Sequence, residues 1–343
     1  MNNPELLKRL CTASGISGDE GSVREIILSE ITGYCDDIKI DNLGNIIAFK
    51  KGEKTPPKKL MLSAHMDEVG FIVTSITSDG LLKFEPVGGI DRRVIQGKSV
   101  KVGKSLIDGV VGIKPVHLTE SEEAKAVPKT DNMYIDIGAV SKENAAEYVK
   151  QGDSVIFEPF YENDGCHIKS KAIDDRAGCF IMIELIKGQL PYDMYFTFAV
   201  QEEVGLRGAK TAAFTVEPDF ALVLEATTAA DILDVPLSKQ VCNVGNGTVV
   251  SFMDRSTIYD KEMYSIAFDC AKEIGSKIQT KRAVAGGNDS GVIHSTKGGV
   301  RTLALSLACR YLHSPVSMVA ISDIDDTIRL VKAMAEKICG GAL

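Results

Sequence analysis

The sequence predicts an α/β fold, a mostly parallel sheet flanked by helices, with a small all-β barrel-like unit inserted into it. Three observations carry this expectation. Strand-like and helix-like runs alternate at the start of the chain and again through its second half. Between about Phe71 and Phe160 the texture changes to β-branched runs broken by glycine turns. The imidazole and acidic side chains of the alternating part fall where strands end.

The chain opens on two amphipathic segments, Pro4 to Ala13 and Ser22 to Tyr34, with apolar residues at three-to-four spacing. Short β-rich runs follow at Ile38 to Ile40, Asn45 to Phe49 and Lys59 to Ala64. The last, with Leu60-Met-Leu62 at its centre, reads as a buried strand and leads directly into His65-Met-Asp67-Glu68. The middle block holds Phe71-Ile-Val-Thr, Ser99-Val-Lys-Val-Gly, Gly109-Val-Val-Gly-Ile and Ser154-Val-Ile-Phe, and its polar stretch Thr119 to Asp131 reads as a mobile loop. Alternation resumes with helix Asp174 to Lys187, strand Met194 to Val200, helix Gly208 to Phe214 and strand Phe220 to Leu224. Strand Thr248 to Phe252, helix Lys261 to Ile274, strand Thr302 to Leu307 and helix Asp323 to Ile338 complete it. The expected division is therefore 1–70 with 161–343 as one α/β unit, and 71–160 as the insertion.

A length of 343 residues exceeds the roughly 250–300 at which one core stops growing, in keeping with two units. A net charge of −8 offers no footprint for a phosphate backbone, so nucleic acid is not an expected partner. No apolar run approaches the roughly 20 residues of a membrane span, and Glu5, Lys8 and Arg9 interrupt the N-terminal apolar residues, unlike a secretory leader. Eight cysteines without a CxxC pair suit free thiols in a reducing cytoplasm.

The chemistry is carried by a few positions. His65 and His313 follow predicted strands, and so do Glu202-Glu203 and Glu225, while Asp174-Asp175 opens a helix. Ligands of open α/β sheets bind beyond the carboxyl ends of the strands. Imidazole and carboxylate at that address form a donor set for a divalent cation such as zinc or cobalt. Each residue has a plainer reading: a satisfied histidine, a helix cap at Asp174, solvated charges at Glu202 and Glu203. Glu225 is harder to dismiss, because a carboxylate ending an apolar run needs a partner. In the adjacent pair Glu202-Glu203, one glutamate can ligate while the other acts as general base. In the pair His65 and Asp67, the carboxylate can orient the imidazole.

Five ordered stretches make the chain recognisable: Ser63-Ala-His65-Met-Asp67-Glu68-Val-Gly70, Lys171-Ala-Ile-Asp174-Asp175-Arg-Ala-Gly178, Gln201-Glu202-Glu203-Val-Gly205, Gly286-Gly-Asn-Asp289-Ser-Gly291 and Arg310-Tyr-Leu-His313-Ser-Pro315. On these the sequence resembles the M42 family of metallopeptidases, which includes glutamyl and tetrahedral aminopeptidases and proteins once labelled cellulases. The resemblance implies a dinuclear zinc exopeptidase-like scaffold acting on short peptides, with two divalent metals per subunit. His65, Asp174 and Glu225 would hold one and Asp174, Glu203 and His313 the other, Asp174 bridging. Glu202 would be the general base, Asp67 would orient His65, a cis peptide would follow Asp174, and the loop with Gly287 and Asp289 would line the substrate pocket. It also implies that the inserted unit mediates dimer contacts and that dimers build a dodecamer.

Two positions depart from the family's pattern. Glu225 stands where Asp is frequent, leaving Asp231 as an alternative ligand, and Asn288 and Ser290 replace the common Thr and Ala. The rival readings are a deacylase or carboxypeptidase on the same scaffold, a noncatalytic metal-stabilised module, and a glycosidase. The last needs a carboxylate pair about 5–9.5 Å apart, and a chain without tryptophan lacks the best ring for stacking on sugars.

Overall fold

The computed structural model describes residues 3–120 and 125–343. Helices α1 (Pro4–Thr12) and α2 (Gly21–Ile31) are followed by strands β1 (Asp37–Ile40), β2 (Ile46–Lys50) and β3 (Leu60–His65). Next come β4 (Gly70–Ile76), β5 (Leu82–Val87), β6 (Ser99–Val102), β7 (Ile107–Ile113), β8 (Met133–Asp136), α3 (Lys142–Ala146) and β9 (Ser154–Phe157). The chain continues through β10 (Tyr161–Asn163), β11 (His167–Ser170), α4 (Ile173–Lys187), β12 (Met194–Ala199), α5 (Arg207–Val216), β13 (Phe220–Thr228) and β14 (Thr248–Val250). It closes with α6 (Lys261–Ile274), β15 (Ile278–Thr280), α7 (Ser290–Ile293), β16 (Arg301–Cys309), β17 (Ser317–Ala320) and α8 (Ile321–Cys339).

Eight strands form one sheet in the order β1-β2-β12-β3-β13-β16-β14-β15. The central four, β12, β3, β13 and β16, run parallel, whereas β1, β2 and β14 add antiparallel pairs at the flanks. Two-sided burial explains the continuous apolar reading of the centre. Leu60, Leu62 and Ala64 of β3 pack against α4 and α8 in a core that α1, α2 and α6 also share, while Met61 joins the core of α5 and α7 on the opposite face. The β1–β2 edge is antiparallel because a tight turn joins it: Asp41 Oδ1 accepts the amides of Leu43, Gly44 and Asn45, each at 3.0 Å. Gly44 supplies the positive φ (+106°) that turn requires.

The middle block closes into a six-stranded barrel, β4-β5-β8-β7-β6-β9. Phe71 anchors its core, meeting Phe84 and Phe157 edge-on at centroid distances of 5.1 and 5.3 Å. Of the stretch Thr119 to Asp131, expected to be a mobile loop, residues 121–124 lie outside the described residues. The described remainder includes a short 3₁₀ turn at Thr130–Asn132. A three-stranded antiparallel sheet, β10-β11-β17, was not anticipated; its strands have only three or four residues, too few to show a period.

One buried ionic cluster fixes the site-bearing segments to the N-terminal helices. Lys171 Nζ donates to both oxygens of Glu68 at 2.7 and 2.8 Å and to Ala13 O at 2.9 Å. Arg176, fully buried, donates to the carbonyls of Leu10 and Met66, each at 2.6 Å, and of Gly15 at 3.1 Å. Removing one member would strand the others uncompensated, at a cost of about 3–5 kcal/mol.

Candidate metal centre and its cleft

Four of the site residues owe their position to a strand end or to the segment just after it. His65 is the last residue of β3, Glu202 and Glu203 lie just past β12, and His313 lies four residues beyond β16. Glu225 differs from expectation: β13 runs on to Thr228 in register with β16, so Glu225 sits inside the strand. Asp174 is not a helix cap. Asp174 and Asp175 have non-helical angles joined by a cis peptide, and it is Asp175 whose Oδ1 accepts the Gly178 amide, at 3.0 Å, in the manner of a cap.

Asp174 is the centre of the arrangement. Its Oδ1 lies 3.3 Å from His65 Nε2, and its Oδ2 lies 3.3 Å from His313 Nε2. Glu225 Oε2 is 3.8 Å from His65 Nε2, and Glu203 Oε1 is 3.2 Å from His313 Nε2. The donor atoms of His65, Asp174 and Glu225 fall within 4.8 Å of one another, as do those of Asp174, Glu203 and His313. A third grouping, His65 with Glu202 and Glu203, meets the same limit. Both histidines have their other nitrogen fixed on a carbonyl: His65 Nδ1 lies 3.0 Å from Asp67 O, and His313 Nδ1 lies 2.8 Å from Gly89 O. A carbonyl accepts only, so Nδ1 carries a proton and Nε2 is the ring atom that faces Asp174.

The electrostatics show what is missing from the polypeptide itself. Burial opposes a charge on His65, yet Asp174 and Asp67 with the surrounding carboxylates push its pKa well above the ordinary value. Burial likewise opposes a charge on His313, but Asp174 and Glu203 push it up to about 11. Burial raises Glu202 and Glu225 well above the usual carboxylate range and raises Glu203 as well. Glu225 Oε1 is buried without a partner. Four carboxylates thus surround two imidazoles, and among the described residues the ion pairs to these carboxylates come from the imidazoles alone. Divalent cations remove that imbalance, and nitrogen and carboxylate oxygen are the donors they take.

The backbone carrying Glu202 and Glu203 is held by an unbroken set of side-chain acceptors. The Val200 amide donates to Asn45 Oδ1 at 2.9 Å, and Gln201 donates to Glu20 Oε1 at 3.1 Å. The Glu202 and Glu203 amides donate to the two oxygens of Asp67 at 3.0 and 3.1 Å. Ser17 Oγ donates to Asp67 Oδ2 at 2.6 Å. Asp67 therefore aims its carboxylate at the glutamate pair and touches His65 most closely through its carbonyl. Sequence reasoning missed Asn45, Glu20 and Ser17; an asparagine within a predicted strand was the one available signal.

A cleft of about 570 Å³ opens over the cluster, lined by His65, Asp174, Glu202, Glu203, Glu225 and His313 at one end and by Gly287, Asn288 and Lys281 elsewhere. Of the two expected substrate-binding positions, Gly287 lines this cleft. Asp289 lies behind it, fully buried with neither oxygen partnered, and burial pushes its carboxyl up to about 7. Asp231, the alternative to Glu225, is committed elsewhere. Its oxygens each accept from Arg310 at 2.7 Å, and Oδ2 also accepts the Val244 amide at 3.0 Å, which leaves Glu225 as the carboxylate at the cluster.

So much negative charge gathered from separate strand ends is tolerated where a cation repays it, and a cleft built over such a cluster belongs to the class of metal-dependent hydrolases. The chain is a member of the M42 peptidase family, whose profile, described as M42 glutamyl aminopeptidase, matches residues 44–330. Aminopeptidases of this family are peptide hydrolases. A relative in Acetivibrio thermocellus is 41% identical over 98% of this chain and 98% of its own length. The lysyl aminopeptidase of Pyrococcus furiosus is 32% identical over 97% of each chain. Among solved structures, the Pyrococcus horikoshii TET1 peptidase, described as able to assemble into a tetrahedron or a large octahedral shell, superposes with a TM-score of 0.85. It shares 35% identity over 97% of this chain and 98% of its own.

Proposed function

We propose that the chain is a two-metal aminopeptidase that removes N-terminal residues from short peptides. The observation that carries this reading is Asp174, which offers one oxygen to each histidine and so can bridge two cations. His65, Asp174 and Glu225 would hold one, and Asp174, Glu203 and His313 the other; imidazole with carboxylate suits zinc or cobalt. When bound, such a pair polarises a scissile carbonyl and acidifies water.

The remaining chemistry belongs to the chain's own residues. Glu202, its pKa raised by burial, takes the proton of the attacking water and returns it to the departing amine. Asp67 keeps Glu202 aimed by accepting its backbone amide. The free α-ammonium of the substrate is recognised by the same carboxylate cluster, which makes the enzyme an exopeptidase. Release of free amino acids from peptides with free or acetylated N-termini, before and after chelation and after restoring zinc or cobalt, tests the reading. Cleavage should require both a free amine and a metal; cleavage of acetylated peptides at equal rate would favour the deacylase reading instead.

In the same reading, residues 1–70 with 161–343 form the catalytic unit and 71–160 the inserted unit through which subunits dimerise, the dimers building a dodecamer. Support comes from the assembling Pyrococcus horikoshii relative. Light scattering should give a mass many times the 37.0 kDa of one chain; a monomeric mass at all concentrations would refute it. Eight free cysteines are the support for a cytoplasmic location, and among the described residues no helix is long and apolar enough to cross a membrane.

A further inference from the structure

We propose that Gly88 and Gly89 of the barrel are positioning residues for one metal site alone, the site of Asp174, Glu203 and His313. The proposal rests on the two-metal reading above and adds to it a dependence of one site on the barrel. Both glycines lie in the connection from β5 (Leu82–Val87) to β6 (Ser99–Val102). Gly89 O accepts from His313 Nδ1 at 2.8 Å. Gly88 has a φ of +86°, and a Cβ there would lie 3.2 Å from Glu203 Cβ and 2.8 Å from Val69 Cγ1. A residue without a Cβ is what lets the connection come so close.

Glu203 and His313 are the two ligands that this site does not share with the other, and their side chains meet at 3.2 Å. Each therefore leans on one of two consecutive barrel glycines. His313 has the greater need of such support. It stands in a loop with a φ of +56°, and its side chain is 31% exposed against 1% for His65, so packing does little to fix its ring. A ligating imidazole is oriented by the acceptor on its other nitrogen, and here the barrel supplies that acceptor. The second site is held from within the sheet. His65 ends β3 with Nδ1 3.0 Å from Asp67 O, and Glu225 lies inside β13 in register with β16. The two sites thus differ in what holds them, although Asp174 belongs to both.

The test titrates zinc or cobalt calorimetrically into the full-length protein after chelation and dialysis, in its natural form and as Gly88→Ala. Gly138→Ala is the control for backbone strain: Gly138 also has a positive φ (+78°) in the barrel block, but a Cβ there meets nothing within 4 Å. The natural protein should bind two equivalents. Gly88→Ala should bind one with unchanged affinity and the other about 10–100-fold more weakly, as loss of an orienting partner gives, and Gly138→Ala should bind both normally. Anomalous diffraction at limiting metal should place the surviving peak of Gly88→Ala beside His65 and Glu225. Adding Val69→Ala removes the 2.8 Å clash and should restore part of the lost affinity. Two normal equivalents in Gly88→Ala overturn the proposal and leave the two-metal reading standing. Equal weakening of both equivalents, the same loss in Gly138→Ala, or a surviving peak beside His313 also overturns it. Should the variants not fold, a crystal structure of the natural, metal-loaded protein decides: His313 Nδ1 on Gly89 O supports the proposal, and a ring turned away from it overturns it. Fewer than two equivalents in the natural protein would remove the two-metal reading itself.

Discussion

Glu202→Gln is expected to retain both metals and to lower kcat by roughly 10²–10⁴-fold with little change in KM. The amide keeps the shape of the side chain but cannot accept a proton. Its backbone stays held, because the Glu202 amide bonds Asp67 and not its own carboxylate. Metal retention is the informative half of the measurement. Glu202 also lies within reach of His65 and Glu203 as a possible ligand group, so a variant that lost one metal equivalent would make Glu202 a ligand and leave the general base to be found. Normal turnover would remove the base assignment altogether.

Asp174→Ala should have the other large effect, loss of both metal equivalents and of measurable activity, whereas Glu203→Ala or Glu225→Ala should lose affinity chiefly at one site. The difference follows from geometry: Asp174 touches both imidazoles, and each glutamate touches one. Against the opposing effect of burial, hydrogen bonds from His313 and His65 hold the Asp174 carboxyl far below its usual range, so it stays ionised and available as a bridge. Metal analysis after dialysis of each variant checks the pattern. Retention of one full equivalent in Asp174→Ala would show that the two sites do not share it.

The parts of the site that were legible in the sequence are those written locally. β3 announces itself through its apolar Leu60-Met-Leu62 core because both its faces are covered, and His65 sits at its end because the strand ends there. The glycine-broken block closes into a barrel, as its β-branched runs foretold. What escaped depends on contacts between distant residues. Asn45 meets Val200 across 155 positions and Glu20 meets Gln201 across 181, and no period or motif encodes such a pairing. Asp231 was a reasonable spare ligand until Arg310, 79 residues away, took both its oxygens. Glu225 was placed one residue past a strand that continues three further, since the partner that extends it, β16, lies far along the chain. Asp289 sits in a glycine-rich stretch that reads as pocket lining, yet the start of α7 turns its carboxylate into the interior.

Anomalous scattering at a metal absorption edge from crystals grown with zinc or cobalt tests the central claim most directly. The account predicts two strong peaks per subunit on either side of Asp174, one contacted by His65 and Glu225 and the other by Glu203 and His313. A single peak, or peaks that leave Asp174 without a metal, would contradict the two-metal reading.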